Sequence, residues 1–443
     1  MNTAPADTRI VQWRATDDGE RARLLARPAV QQDSTIRDAV NHILRQVRER
    51  GDDALLDLTE QFDRVRLASL RVGNDEFDAA EKALSTTAIN AIEVAIRNVR
   101  RFHEAQAVPD IRVETMPGVV CERVSRPIDA VGLYVPAGSA PLPSAAIMLT
   151  IPAAIAGCPR RVLCTPPRRD GTADPAVLAA ARRGGIDEVF KVGGAQAIAA
   201  LAYGTKSINA VDKIFGPGNA FVTAAKAIVA NDPGGAAIDL PAGPSEVMVI
   251  ADAGANPDYV AADLLSQAEH GSDSQVLLVT TSDQLASDVL IAVDRQLMRL
   301  DRQAIAASAL QHSRIIVTDT INTALEICNA YAPEHLILQI DNPRNVLPAI
   351  RNAGSVFLGP WTPESVGDYC SGTNHVLPTY GAARSYSGLG VEQFMRNMTV
   401  QELTRDGLRA LAPTAVELAS LEGLDAHAEA VRIRLGEVGG IVG

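Results

Sequence analysis

Two short stretches of this 443-residue chain carry side chains whose types and spacing could do chemistry. In Ser266-Gln267-Ala268-Glu269-His270-Gly271, an amide and an imidazole stand three residues apart, so on a helix they project from one face. Gly271 is a stop signal that leaves both groups at a helix end, ahead of the strand-like Val276-Leu277-Leu278-Val279-Thr280. In Ala332-Pro333-Glu334-His335-Leu336, a carboxylate and an imidazole are adjacent where a loop meets a strand. Imidazole exchanges a proton near neutral pH, and a carboxylate can draw a proton from water. Neighbours on an extended chain point to opposite faces, so a shared site needs a bent backbone, for which Pro333 is suited.

Further candidates are scattered. His375 lies in the polar loop Gly367-Asp368-Tyr369-Cys370-Ser371-Gly372-Thr373-Asn374-His375, and His427 follows Glu422 near the carboxyl terminus. Gln267, His270, Asp368 and His427 would make an N/O ligand set suited to zinc. Only the first two are local to each other, and hydrogen-bonded structural histidines remain the alternative. His42, His103 and His312 read as surface histidines among charged or polar neighbours. Cys370, two residues from Asp368, could be a nucleophile for aldehyde oxidation, but a small structural cysteine is the simpler reading. The dinucleotide fingerprint GxGxxG is absent. Its nearest substitute is Ile214-Phe215-Gly216-Pro217-Gly218-Asn219-Ala220 before a helix over 221–228, where two glycines could admit a phosphate to free amides. Gly-Pro-Gly is also an ordinary turn.

These residues need elements to hold them. The first third reads as helical, with apolar stripes at Ile36, Val40, Ile43, Leu44, Val47 and at Ile89, Ile92, Ile96, Val99, Phe102. From Ile128, short apolar strands alternate with Ala-rich helices, and a second such cycle begins at Glu246. The pattern predicts two related α/β domains of parallel βαβ units, with ligands at the carboxyl ends of the strands. The loop Asp239–Ser245 between them reads as a hinge. After Gly390 the pattern returns to helix, including Val400 to Leu403. That tail has too few apolar positions for its own core and must pack on the rest of the chain or on a second subunit.

The totals exclude several classes. A net charge of −12 without a compensating basic block argues against nucleic acid. The five cysteines form no CxxC pair, which fits reduced thiols in a cytoplasmic protein. Met1–Asp7 shows no basic region with an apolar core, so no signal peptide is expected. The longest apolar run, Ala145 to Gly157, is too short to cross a bilayer.

Taken together the motifs resemble the histidinol dehydrogenase family. The matching stretches are Gly132-Leu133-Tyr134-Val135-Pro136, Gly193-Gly194-Ala195-Gln196-Ala197, Gly216-Pro217-Gly218-Asn219 and Pro241-Ala242-Gly243-Pro244-Ser245-Glu246. They continue with the Gln267/His270 and Glu334/His335 stretches, Gly372-Thr373-Asn374-His375-Val376-Leu377-Pro378-Thr379, and Glu422 with His427. The resemblance implies two sequential NAD-dependent oxidations, of L-histidinol to its aldehyde and then to L-histidine, with zinc positioning the substrate. It implies zinc held by Gln267, His270, Asp368 and His427, which also face the substrate together with Ser245, His335, His375 and Glu422. Tyr134, Gln196 and Asn219 match the family's NAD contacts, and Glu334 and His335 its proton carriers. It further implies incomplete Rossmann-like domains with aldehyde-dehydrogenase-like architecture, and a homodimer whose carboxyl-terminal tail enters the partner's site. The expected boundaries are an amino-terminal segment 1–32, a catalytic and metal domain of 33–133 with 245–389, an NAD domain of 134–244, and a tail of 390–443. Residues before about Gln32 match poorly and receive no function. A zinc hydrolase using Glu334, or a silent imidazole-binding protein, is the competing expectation.

Overall fold

The computed structural model describes residues 9–28, 34–107, 109–137, 141–240 and 243–436. Residues 1–8 and 29–32 of the expected amino-terminal segment, and Pro241-Ala242 of the expected hinge and motif, lie outside the described residues. The chain forms two compact units: Met1–Gln106 with Ile128–Phe394, and Ala107–Pro127 with Met395–Gly443.

The strands in chain order are β1 (Arg9–Gln12), β2 (Ile111–Met116), β3 (Val119–Pro127), β4 (Ala130–Tyr134), β5 (Arg160–Thr165), β6 (Glu188–Lys191) and β7 (Lys213–Phe215). They continue with β8 (Ala237–Ile238), β9 (Glu246–Ala251), β10 (Gln275–Thr280), β11 (Arg314–Val317), β12 (His335–Gln339), β13 (Ser355–Leu358) and β14 (Met395–Leu403). The first unit holds two parallel sheets. One runs β6-β5-β4-β7-β8, the other β1-β11-β10-β9-β12-β13. Counted from its own first strand, each follows the order 3-2-1-4-5, with β1 added at one edge of the second. The α/β expectation of two related, parallel, Rossmann-like halves therefore holds at the level of topology.

Burial explains why these segments become strands and helices. Every residue of β9, β10 and β12 is buried, as a parallel strand covered by helices on both faces must be. The helix Ser34–Arg50 turns Val40, Ile43, Leu44 and Val47 into a core shared with Ile198, Leu201, Val222 and Val229 of the first sheet's helices. The helix Pro143–Ala156 is buried almost all round, which accounts for its uniformly apolar sequence.

Three expectations are corrected. Val400 to Leu403 is not helix but part of β14, antiparallel to β3, with Val400 opposite Glu122. The pairing joins segments remote in sequence, so local periodicity cannot reveal it. His103 is fully buried, with Nδ1 2.8 Å from the carbonyl of Val99. It follows Val99 by four residues and so continues the apolar stripe of the helix Thr86–Glu104. Third, in the second sheet the functional candidates do not gather at the carboxyl ends of the strands. Ser245, Glu246, Glu334 and His335 lie at the amino ends of β9 and β12.

Candidate active site

A groove of about 1490 Å³ runs through the first unit. One wall is the carboxyl edge of the first sheet, with Pro136 after β4 and Gly216, Pro217, Gly218 and Asn219 after β7. Those neighbouring strands flank the point where strand order reverses, the usual ligand crevice of such a sheet. Asn219 caps the helix Ala220–Ala230, its side-chain oxygen accepting from the amides of Phe221 and Val222. The loop is braced from below by a buried ion pair between Lys226 and Asp239. Lys226 Nζ donates to the carbonyl of Gly216 at 2.9 Å, and Asp239 accepts from the amide of Gly216 at 2.8 Å.

The opposite wall carries Ser245, His270, Glu334 and His375. Glu334 and His335 are both buried, at 6% and 3% exposure, yet they meet: Glu334 Oε2 lies 3.5 Å from His335 Nδ1. The required bend is present. Ala332 adopts a left-handed conformation (φ 56°) where the helix Ile321–Tyr331 ends and Pro333 begins the approach to β12. The amide of Glu246 donates to Glu334 Oε2 at 2.9 Å, and the carbonyl of Glu246 lies 3.2 Å from His335 Nδ1. On its other side, His335 Nε2 lies 3.3 Å from Asp368 Oδ1.

Asp368 sits on a short helix, Glu364–Tyr369, rather than in a loop. The helix Pro257–Ala268 ends before His270, whose amide still donates to the carbonyl of Gln267 at 3.2 Å. Gln267 is fully buried. With its amide oriented to suit its neighbours, Nε2 donates to the two Glu364 oxygens at 2.9 and 3.0 Å and lies 3.2 Å from His335 Nδ1. His270, Glu364 and Asp368 each offer a donor atom, and these lie within 4.8 Å of one another. Glu364 was missed in the sequence. Its signal was Pro363 followed by two acids four apart, Glu364 and Asp368, as at the start of a helix with one polar face.

The electrostatics follow from this crowding. Burial raises the Glu334 carboxyl, against the lowering effect of His335 and the Glu246 amide. Burial raises Glu364 to about 8, assisted by the charges of Asp368, Glu334 and Asp263 and opposed by His335. For His335 burial acts downward but is outweighed by Glu334, Glu364 and the bond to Asp368, so its imidazole is held well above its ordinary value. Asp368 is lowered: burial works against ionisation, but His335, His375 and His270 prevail. His375 is lowered chiefly by burial, and its Nε2 is a buried nitrogen with no hydrogen-bond partner among the described residues. Carboxylates crowd this cluster, and His375, with its unpartnered nitrogen, shares a groove wall with His270. Such an arrangement attracts a cation and offers a partner to a polar substrate.

The other expected residues fall elsewhere. Tyr134 and Gln196 are 3% and 2% exposed and do not line the groove, and the Tyr134 hydroxyl accepts from the amide of Gly194 at 3.0 Å. Glu422 caps the helix Arg405–Leu421 and His427 lies in the first turn of the helix Asp425–Leu435, both exposed and both in the second unit. Cys370 is a free thiol at the end of the Asp368 helix, its carbonyl accepting from Asn98.

Comparison with known proteins gives the same direction. The family model for histidinol dehydrogenase matches residues 26–435. A histidinol dehydrogenase of Vibrio cholerae is 57% identical over 427 residues, 96% of this chain and 98% of its own. One of Xylella fastidiosa is 55% identical over 428 residues, 97% of this chain and 99% of its own. The crystal structure of a histidinol dehydrogenase from Elizabethkingia anophelis superposes with a TM-score of 0.93 at 46% identity, covering 98% of this chain and 99% of that one. Matched over nearly its whole length in sequence and in fold, the chain belongs to the histidinol dehydrogenase family, the oxidoreductases of histidine biosynthesis.

Proposed function

We propose that the chain oxidises L-histidinol twice, through the aldehyde to L-histidine, reducing two NAD and using zinc to hold the substrate, in the cytoplasm. The observation that carries this reading is the Glu334/His335 pair: Glu334 lines one groove with His270 of the cation-binding cluster, His335 meets Asp368 of that cluster, and the groove's far wall holds a strand-order reversal. The donor set of His270 and Asp368, with Gln267 alongside, fits a cation that accepts nitrogen and oxygen together. The groove's volume exceeds the usual range of roughly 300–1,000 Å³ for a single small ligand, leaving room for a dinucleotide beside a substrate.

When bound, zinc supplies a fixed positive charge for the substrate's imidazole and amine, and NAD accepts the hydride of each oxidation. Gln267, His270 and Asp368 would hold the metal, and His427 would complete the set. Ser245 and His375 contact the substrate from the groove wall, where the unpartnered His375 Nε2 can accept or donate a hydrogen bond. In its neutral form His335 takes the hydroxyl proton as the alcohol becomes aldehyde. Glu334 then removes a proton from the water that adds to the aldehyde carbonyl, giving the hydrate whose oxidation yields the carboxylate. Asn219 contacts NAD at the first sheet's crevice, with Tyr134 and Gln196 at the carboxyl edge of the same sheet behind it. Because Glu422 and His427 are exposed on the second unit, they suit a homodimer in which each tail completes the partner's site.

The test is NADH formation by purified protein with L-histidinol, before and after chelation and after zinc is restored. Metal-dependent formation of two NADH per histidinol is expected. Turnover that is absent, or indifferent to the chelator, would sink the proposal.

A further inference from the structure

Arg27 lies in the part of the chain to which the sequence assigns no role, yet it reaches into the centre of the first unit. Its Nε lies 3.1 and 2.9 Å from the two oxygens of Glu246, and Nη2 lies 2.7 Å from Oε2. The pair is nearly dry, with the arginine side chain 12% exposed and the glutamate 2%. Nη2 also donates to the carbonyls of Tyr331 at 2.9 Å and Ala332 at 3.3 Å, and the guanidinium lies over the Tyr331 ring, 3.9 Å from its centroid. The segment is pinned again one residue on, where the Tyr380 hydroxyl donates to the carbonyl of Pro28 while the Tyr380 amide donates to Glu246.

Both ends of this clamp carry the proton-handling pair. The main chain of Glu246 grips Glu334 through its amide and faces His335 through its carbonyl. Tyr331 ends its helix and Ala332 makes the left-handed bend that leads into Pro333-Glu334-His335. One guanidinium therefore ties together the two backbone segments whose separation sets where Glu334 and His335 point.

We propose that Arg27 is a positioning residue for Glu334 and His335. It touches neither substrate nor cofactor; it fixes the backbone from which both are aimed. This rests on the reading of those two residues as the proton carriers. Lysine cannot replace it, because an ammonium offers a single point of charge where a planar fork is used in several directions at once. A buried ion pair is by itself weak evidence of stabilisation, since apolar partners often replace one without loss. The test must therefore separate rate from stability.

The experiment measures both oxidations with zinc-loaded enzyme, L-histidinol or its aldehyde, and NAD, in wild type, Arg27→Lys, Arg27→Met and Arg27→Met/Glu246→Gln. In Arg27→Met, kcat is expected to fall roughly 10- to 100-fold in both steps, with KM for L-histidinol within about threefold, as for a misaligned catalytic pair. Arg27→Lys should stay folded and remain well below wild type. The double variant should regain Tm without regaining kcat. Full activity in Arg27→Lys, recovery of kcat along with Tm in the double variant, or a change confined to KM would overturn the inference. Should the double variant stay unstable, Arg27→Lys decides. Wild type without histidinol turnover would instead refute the functional reading, so the two failures are distinct.

Discussion

At the scale of single residues, the division of labour between Glu334 and His335 is open to direct measurement. Glu334→Gln should slow aldehyde oxidation by roughly 10²- to 10⁴-fold, the usual contribution of a positioned base, and alcohol oxidation much less. His335→Asn should impair both. Stopped-flow NADH traces begun from L-histidinol and from the aldehyde separate the steps; equal impairment of both by Glu334→Gln contradicts the assignment. The candidates that the fold brings together, Gln267, His270, Glu334, His335 and Asp368, were legible because chemistry-bearing types stood in short, recognisable runs. Glu364 and Arg27 were not, since each looks like an ordinary charged residue until the fold buries it against Gln267 or Glu246. A separate residue-scale prediction concerns Asp63, half-buried, with Oδ2 lacking a partner among the described residues and burial raising its pKa from 3.8 to about 6. The folded state holds that proton more tightly than the unfolded state, so the group's contribution to stability falls as pH rises from about 4 to about 6. Asp63→Asn should therefore gain Tm relative to wild type across that interval. A Tm difference that stays constant from pH 4 to 8 would exclude it.

At the scale of elements, the loop Gly216–Asn219 shows how packing sets a binding surface. A Cβ on Gly218 would lie 2.3 Å from Cγ1 and 2.4 Å from Cβ of Val222, a buried β-branched side chain with little rotamer freedom in its helix. Gly218→Ala must displace the loop, and we expect KM for NAD to rise roughly tenfold, about 1.4 kcal/mol, with KM for L-histidinol nearly unchanged. Steady-state kinetics with each substrate varied in turn checks this, and an unaltered NAD dependence would count against NAD at this loop. Strands and helices of the two parallel sheets were readable, since buried parallel strands are short continuous apolar runs and the helices between them keep a regular stripe. The hairpin of β2 and β3 and the long strand β14 were not. β2 and β14 are largely exposed, and the pairing of β14 with β3 brings together segments far apart in sequence.

At the scale of the whole molecule, the question is what the second unit is for. Its helices leave Leu418, Leu421, Leu424 and Ile433 exposed, beside the exposed Glu422 and His427. If each tail serves the neighbouring subunit, mixing His427→Ala with Glu334→Gln subunits should create one intact site per heterodimer. Random exchange into closed dimers would then return about a quarter of wild-type activity. Activity that stays at the level of the parent variants, with exchange verified by mass, would show that the tail does not act across subunits. Sequence alone suggested the need for a partner surface, because the tail had too little apolar content for an independent core. It could not show which face the tail would present.

The two parallel sheets share one strand order, but the groove meets them at opposite ends: the carboxyl edge of the first and the amino edge of the second. Two sheets of one strand order therefore face the groove with opposite edges. Had they met it with the same edge, its two walls would be alike. The groove therefore has two unlike walls, as the proposed division requires: a nucleotide at the strand exits of one sheet and proton transfer at the strand entries of the other.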